Sequence, residues 1–184
     1  AVTLVTAMSR GSVDLGSGND KLTLGDVANT LTAINVETIV GGGDNDTVTV
    51  GSLLSNGSID LGGGNDKLVL GDFAHTATIS NVETLIGGSD ADTITLAAAI
   101  DGSVSLDLGA GADKLTLGYF ATSGSLSNVE TLIGGSSTDE LTIATQLSHA
   151  SIDLGAGEDV LKLGNFVNTA TISNVESVTG GSAN

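Results

Sequence analysis

The acidic residues of this chain gather at the ends of glycine loops, and that placement limits the chemistry open to them. Four short loops read Gly-x-Gly-x-Asp, at Gly16 to Asp20, Gly62 to Asp66, Gly109 to Asp113 and Gly155 to Asp159. Three longer loops run from Gly41 to Asp46, Gly87 to Asp92 and Gly134 to Asp139. A carboxylate beside a curled backbone is a source of hard oxygen ligands. Calcium takes roughly six to eight oxygens at about 2.3–2.6 Å, and glycine lets the backbone turn its carbonyls inward, including at positive φ. The candidate metal ligands are therefore Gly16, Gly18 and Asp20; Gly41, Gly43, Asp44 and Asp46; Gly62, Gly64 and Asp66; Gly87, Asp90 and Asp92; Gly109, Gly111 and Asp113; Asp139; and Gly155, Gly157 and Asp159. The loop ending at Asp139 has Ser137 at its fourth place, where its counterparts have Asp44 and Asp90, and is expected to be the weakest site.

Other chemistries find little support. Catalysis needs a singular constellation in a pocket, whereas these acids recur in columns, so no enzymatic activity is expected. His75 and His149 have no regular metal partner and read as surface turn residues. Gly62-Gly63-Gly64 lacks the helix that a dinucleotide loop requires. With 22 acids against 5 bases and a formal net charge of -17, the chain is a poor partner for nucleic acid. It has no cysteine for a disulfide or thiolate site. No apolar run is long enough to insert into a membrane.

The loops are positioned by a repeat. An apolar-acid-(Leu/Thr/Ser) triplet recurs at Val13, Val36, Ile59, Val82, Leu106, Val129, Ile152 and Val175. The interval is about 23 residues throughout, within the range of solenoid repeats. Asp and Glu alternate in the triplet, so the full repeat is a pair of such units, about 46 residues long. Short alternating runs such as Val48-Thr49-Val50 mark strands, and abundant Gly and β-branched residues disfavour helix. Apolar residues make up 40% of the chain but aromatics only 2%, so the core must be aliphatic. The expectation is an all-β parallel solenoid, one array over residues 1–184. It comprises a half-coil at 1–12, coils starting at 13, 36, 59, 82, 106, 129 and 152, and a partial coil at 175–184. On that register the triplet acids, Asp14, Glu37, Asp60, Glu83, Asp107, Glu130, Asp153 and Glu176, stack in a second acidic column. Asn35, Asn81, Asn128 and Asn174 would form an asparagine ladder. Val27, Phe73, Phe120 and Phe166 would plug the core, and Lys21, Lys67 and Lys114 would screen the loop acids.

The loops resemble the RTX (repeats-in-toxin) nonapeptide, Gly-Gly-x-Gly-x-Asp-x-apolar-x, a calcium-binding β-helix repeat. Gly41 to Thr49 fits with Asp44 at the fourth place, and Leu61 to Leu68 fits with Gly64 there. The resemblance implies calcium between loops of neighbouring coils, and secretion by the bacterial type I route to the cell surface or exterior. That family usually carries glycine-aspartate turns at both edges of coils of about 18 residues. Here the far edge, for example Ser52 to Asn56, has no carboxylate, so a single column of calcium sites is expected.

The functional expectation is a calcium-binding structural segment of a large secreted or surface protein, of adhesin, surface-layer or filament type. The alternative is the C-terminal calcium-dependent folding and secretion module of an extracellular enzyme or toxin. An ice-binding threonine face, hinted at by Thr47-Val48-Thr49, is interrupted by Lys21, Lys67 and Lys162. Both ends read as half-coils. Head-to-tail self-association, with Asn184 of one copy against Ala1 of the next, therefore stands beside continuation into a longer array.

Overall fold

The computed structural model describes residues 1–100 and 104–183; Asn184, and with it the expected end-to-end contact, lies outside them. Strand β1 (Val2–Thr3) is followed by β2 (Ser9–Asp14), β3 (Lys21–Thr23), β4 (Thr30–Ile34), β5 (Thr38–Val40), β6 (Thr47–Val50), β7 (Ser55–Asp60) and β8 (Lys67–Val69). The alternation continues to a last strand at Ser177–Thr179. Odd-numbered strands form one ten-stranded parallel sheet and even-numbered strands form another. The chain is thus a parallel β-solenoid of about nine turns, two strands to a coil. Among the described residues no helix is long and apolar enough to cross a membrane.

The strands form because their side chains alternate. In β6, Val48 and Val50 point inward and are buried, while Thr47 and Thr49 lie on the outer face. The interior is a continuous aliphatic column that includes Leu22, Ile39, Val48, Ile59, Leu68 and Ile94. Each such side chain contributes roughly 1.5–3 kcal/mol through burial. The phenylalanines do not plug this core: Phe73, Phe120 and Phe166 remain 42%, 47% and 42% exposed. Their rings lie over the glycine two residues earlier, as Phe166 does over Gly164. Val27, in the equivalent place, is half-buried. An interior already filled by Leu, Ile and Val leaves no room for the rings.

The coils are shorter than the interval of the sequence triplet. Leu22 pairs with Ile39, Ile39 with Ile59, Val48 with Leu68 and Leu85 with Leu106. Hydrogen bonds between neighbouring coils accordingly span 17, 20 or 21 residues. The expected coil starts at 13, 36, 59, 82, 106, 129 and 152 are therefore not equivalent positions. Val13 lies in β2, opposite Ala33, whereas Val36 sits in the short corner between β4 and β5. One full sequence repeat holds five strands, or two and a half coils. Ser9–Asp14 and its sequence counterpart Ser55–Asp60 consequently fall in opposite sheets. Each successive module is turned half a revolution about the solenoid axis.

The absence of native cysteine allows a direct test of register. Thr49 and Val69 are opposed on neighbouring strands, a separation suited to a disulfide. The pair Thr49→Cys and Val69→Cys should oxidise to an intrachain cross-link detected by mass spectrometry. Thr49→Cys with Asp72→Cys, at the longer interval of the sequence triplet, should retain free thiols; the reverse result would restore the longer coil.

Candidate metal centre

Half-turn alternation changes where the glycine loops lie. The loops at 41–46 and 61–66 meet at one edge, those at 87–92 and 108–113 at the other, and those at 134–139 and 154–159 at the first edge again. The single column of seven loops expected from sequence is thus three loop pairs and one unpaired loop, 16–20, distributed over both edges. Backbone contact joins each pair: Gly63 N–H donates to Gly42 O, Ala110 N–H to Gly88 O and Ala156 N–H to Gly135 O, at 2.9, 2.9 and 3.1 Å. Glycine is needed where the coils touch. A Cβ on Gly41 would lie 1.9 Å from the Leu61 carbonyl oxygen, and one on Gly62, at φ +87°, would lie 2.1 Å from the Gly42 oxygen.

The aspartates that close the paired loops turn inward. Asp46, Asp66, Asp92, Asp113, Asp139 and Asp159 are each no more than 1% exposed. Their Oδ1 atoms accept backbone N–H groups from the preceding coil. Asn29 N–H donates to Asp46 at 2.9 Å, Asp46 N–H to Asp66 at 2.7 Å, and Asp66 N–H to Glu83 Oε2 at 2.7 Å. The same column recurs as His75, Asp92, Asp113 and Glu130, and as Thr122, Asp139, Asp159 and Glu176. The Oδ2 atoms of all six aspartates are buried without a hydrogen-bond partner. A buried carboxylate left half-satisfied is costly, and each of these oxygens calls for a cation, a proton or a water.

Desolvation accordingly pushes the Asp66 and Asp113 carboxyls up to about 6, with the neighbouring Glu83 and Asp46, or Glu130 and Asp92, adding like-charge repulsion. Burial also raises Asp92 and Asp139, against the hydrogen bonds from the His75 and Thr122 backbones. Side chains one coil apart are separated by roughly 4.8 Å. Two charges at that distance repel by about 3.5 kcal/mol at an effective dielectric of 20.

Other expected site residues are placed differently. Asp44 and Asp90 stand exposed at loop tips, and Asp90 lies near enough to Asp92 to add like-charge repulsion there. Asp20, with 21% of its side chain exposed, gives its N–H to Glu37 Oε2 at 2.8 Å and lies 3.8 Å from the Ala1 amino group. Asp139 is as buried as its counterparts and its Oδ2 equally unpartnered; the Ser137 hydroxyl donates to Tyr119 O on the outside of that loop. The 134–139 loop thus differs at its surface and not at its inner carboxylate. Lys21, Lys67 and Lys114 make no ion pair among the described residues, where the side-chain pair found is Lys162 with Glu140.

The second acidic column and the asparagine ladder are not formed. Asp14, Asp60, Asp107 and Asp153 end strands, and their Oδ1 atoms accept from Gly16, Gly62, Gly109 and Gly155 N–H at 3.0–3.2 Å. Each also accepts Nδ2 of Asn35, Asn81, Asn128 or Asn174 at 2.7–2.8 Å. These asparagines hold φ of 51–55° at the tight corner, a conformation asparagine tolerates. The alternating glutamates sit in the corners and close the aspartate columns. His75 is also not a surface residue: it is 1% exposed, its Nδ1 accepts Leu54 N–H at 3.2 Å, and its Nε2 lies 3.2 Å from Gly71 O. His149 is exposed, at a bulge in the strand Ser148–Asp153.

Oxygen-rich loops with an unpartnered carboxylate oxygen fit a hard cation such as calcium. Among the described residues no three acidic, histidine or cysteine side chains converge on one point. Any ion would therefore take one or two carboxylates and complete its shell from backbone carbonyls or water. Comparison with family models, curated proteins and solved structures returns no match to this chain.

The raised carboxyls fix a pH dependence for metal-free protein. An acid whose folded pKa exceeds its unfolded value binds more protons when folded, so stability falls as pH rises between the two values. In excess chelator the melting temperature should drop as pH is raised from about 4 to about 7. A rise over that interval, followed by circular dichroism, would contradict the buried state of Asp66, Asp92, Asp113 and Asp139.

Proposed function

We propose that the chain is a calcium-stabilised structural solenoid, a stiff segment of a secreted or cell-surface protein, and not an enzyme. The observation that carries this reading is the set of six buried, unpartnered Asp Oδ2 atoms behind glycine loops. Asp46 with Asp66, Asp92 with Asp113, and Asp139 with Asp159 would hold the ions. Bound calcium would supply positive charge that offsets both carboxylate burial and the formal net charge of -17. The protein's own part is to fix the carboxylates through backbone N–H donors and to bring two loops together through glycine contacts. A segment that folds only where calcium is abundant would suit an extracellular location, as the resemblance to the RTX repeats implies.

Ligand that binds the folded state alone raises stability by mass action, about 2.7 kcal/mol at a hundredfold excess over Kd. Adding calcium chloride to protein shown to be metal-free should therefore raise the melting temperature at pH 7, and chelator should reverse the change. Magnesium, which demands a tighter octahedral shell, should have a smaller effect. Identical melting curves with calcium and with chelator would end the proposal.

A further inference from the structure

The corners that carry Val27, Phe73, Phe120 and Phe166 are built alike, and one of them is open. Val27, Phe73 and Phe166 each donate N–H to the oxygen of the glycine two residues earlier, at 2.8, 2.9 and 2.8 Å. In two of these corners a side chain reaches the same oxygen. Asn168 Nδ2 donates to Gly164 O at 3.2 Å, and His75 Nε2 lies 3.2 Å from Gly71 O. At the corner 117–122 neither bond is made among the described residues. Phe120 N–H does not donate to Gly118 O, and the shorter Thr122 turns its hydroxyl to Phe120 O at 3.3 Å. A backbone donor and a backbone acceptor thus lack protein partners, and such groups take partners from outside the chain. The acids are missing from the same place. Tyr119 stands where other corners have Asp26 and Asp72, and Ser137 on the facing loop stands where others have Asp44 and Asp90. The fourth corner also lacks these acids, but there Ser182 N–H donates to Asn165 Oδ1 across the gap at 2.6 Å.

A groove of about 440 Å³ runs beside this corner, within the size range of small-molecule sites. It crosses three neighbouring strands of one sheet, Thr93–Leu96, Lys114–Thr116 and Thr131–Ile133. Ala97, Phe120 and Ile133 give it apolar walls, and Thr95 and Thr116 add hydroxyls. Tyr119 is 82% exposed and Phe120 47% exposed. These two are half of the aromatic residues in a chain with three Phe, one Tyr and no Trp. We infer that this groove binds a neutral saccharide. A pyranose ring has an apolar C–H face, which packs on an aromatic ring, and a rim of hydroxyls that both donate and accept. Gly118 O and Phe120 N–H, on two residues that line the groove, supply an acceptor and a donor for such a rim. A purely apolar occupant would leave both groups unmet and costly. An anionic sugar would be repelled by a chain of net charge -17. The corners of Asp26 and Asp72 would not take the sugar, because a carboxylate offers no stacking face and resists desolvation. The inference stands apart from the calcium reading, since none of these groups is a buried loop aspartate.

Tyr119 is the sole tyrosine in a chain without tryptophan, so tyrosine fluorescence of the unmodified protein reports on this groove alone. Oligosaccharides of glucose, galactose, mannose and N-acetylglucosamine are titrated in turn, with calcium chloride present and folding followed by circular dichroism. At least one series should give a saturable change. Saturation-transfer NMR with that sugar should show binding weakened roughly tenfold or more by Tyr119→Asp. That substitution brings in the residue type of Asp26 and Asp72, which the same corner already accommodates. Phe73→Leu, in another corner, should leave binding unchanged. Equal binding by Tyr119→Asp would overturn the inference. So would a folded protein that answers none of the four series, or answers only oligosaccharides of uronic or sialic acids. Quenching of Tyr119 by raising the protein concentration alone, with a dimer in sedimentation, would assign the groove to a second copy and overturn it too. None of these results bears on the calcium proposal, which is read from melting temperature.

Discussion

A carboxylate with one oxygen bonded to the backbone of the preceding coil and the other left unpartnered governs this molecule. Burying it costs free energy, yet its Oδ1 anchors an N–H at the corner of the preceding coil. Remove the aspartate, and a backbone donor at the solenoid edge loses its acceptor as well as its charge partner. The glycine contacts depend on the same arrangement, because loops can approach to backbone distance only where the coil is held in place by these bonds. Aliphatic burial supplies the bulk of the folding free energy, but it is indifferent to position along the axis. A strand could slip by two residues and still bury Leu and Val. The carboxylate columns discriminate between such registers, since a slip would leave every aspartate without its N–H donor.

The unequal coil lengths, seen in contacts that span 17, 20 and 21 residues, follow from the corners. A tight corner such as 35–37 closes with a left-handed asparagine, whose amide reaches the strand-ending aspartate of the coil below. A glycine loop such as 41–46 closes wider. Both must carry the chain between the same two sheets, so the surplus residues are looped outward, which is why Asp44 and Asp90 are exposed while Asp46 and Asp92 are buried. The outer acids contribute charge to the surface and leave the aliphatic interior untouched.

Much of this was legible in the sequence. Alternating Val, Thr and Leu marked the strands, the absence of helix signals gave the class, and the glycine loops pointed to the closing aspartates, six of which the structure buries. The coil length was not legible, for a physical reason. Val13 and Val36 each supply an inward apolar side chain followed by an acid, so a strand and a corner present the same local pattern. Only the pairing separates them: Val13 pairs with Ala33 in the sheet, whereas Val36 lies in the corner between β4 and β5. The second acidic column failed with the register: Asp14 caps a turn, Glu37 closes an aspartate column, and the two perform different tasks at similar-looking places. His75 reads as a surface turn residue in sequence, having no regular metal partner, yet it is buried at the place held by Asn29 and Thr122 in other modules. Their shared duty, a backbone N–H delivered to the next aspartate, does not depend on side-chain type and leaves little trace in composition. The signal that could have revealed the column was the spacing through Asn29, Asp46, Asp66 and Glu83, whose steps are 17, 20 and 17 residues.

The odd number of strands per module bears on the mechanics of a longer array. Solenoids bend when one edge is bulkier than the other, because every repeat adds a wedge in the same direction. Here the bulky glycine loops and the tight asparagine corners exchange edges at each module, so each wedge is followed by one of opposite sense. Wedges of opposite sense offset one another over two modules, which favours a straight array. An even composition at both edges would reach the same result only by making every coil alike. This chain gives its two edges matched composition over two modules with unlike coils, keeping bulky loops and tight corners.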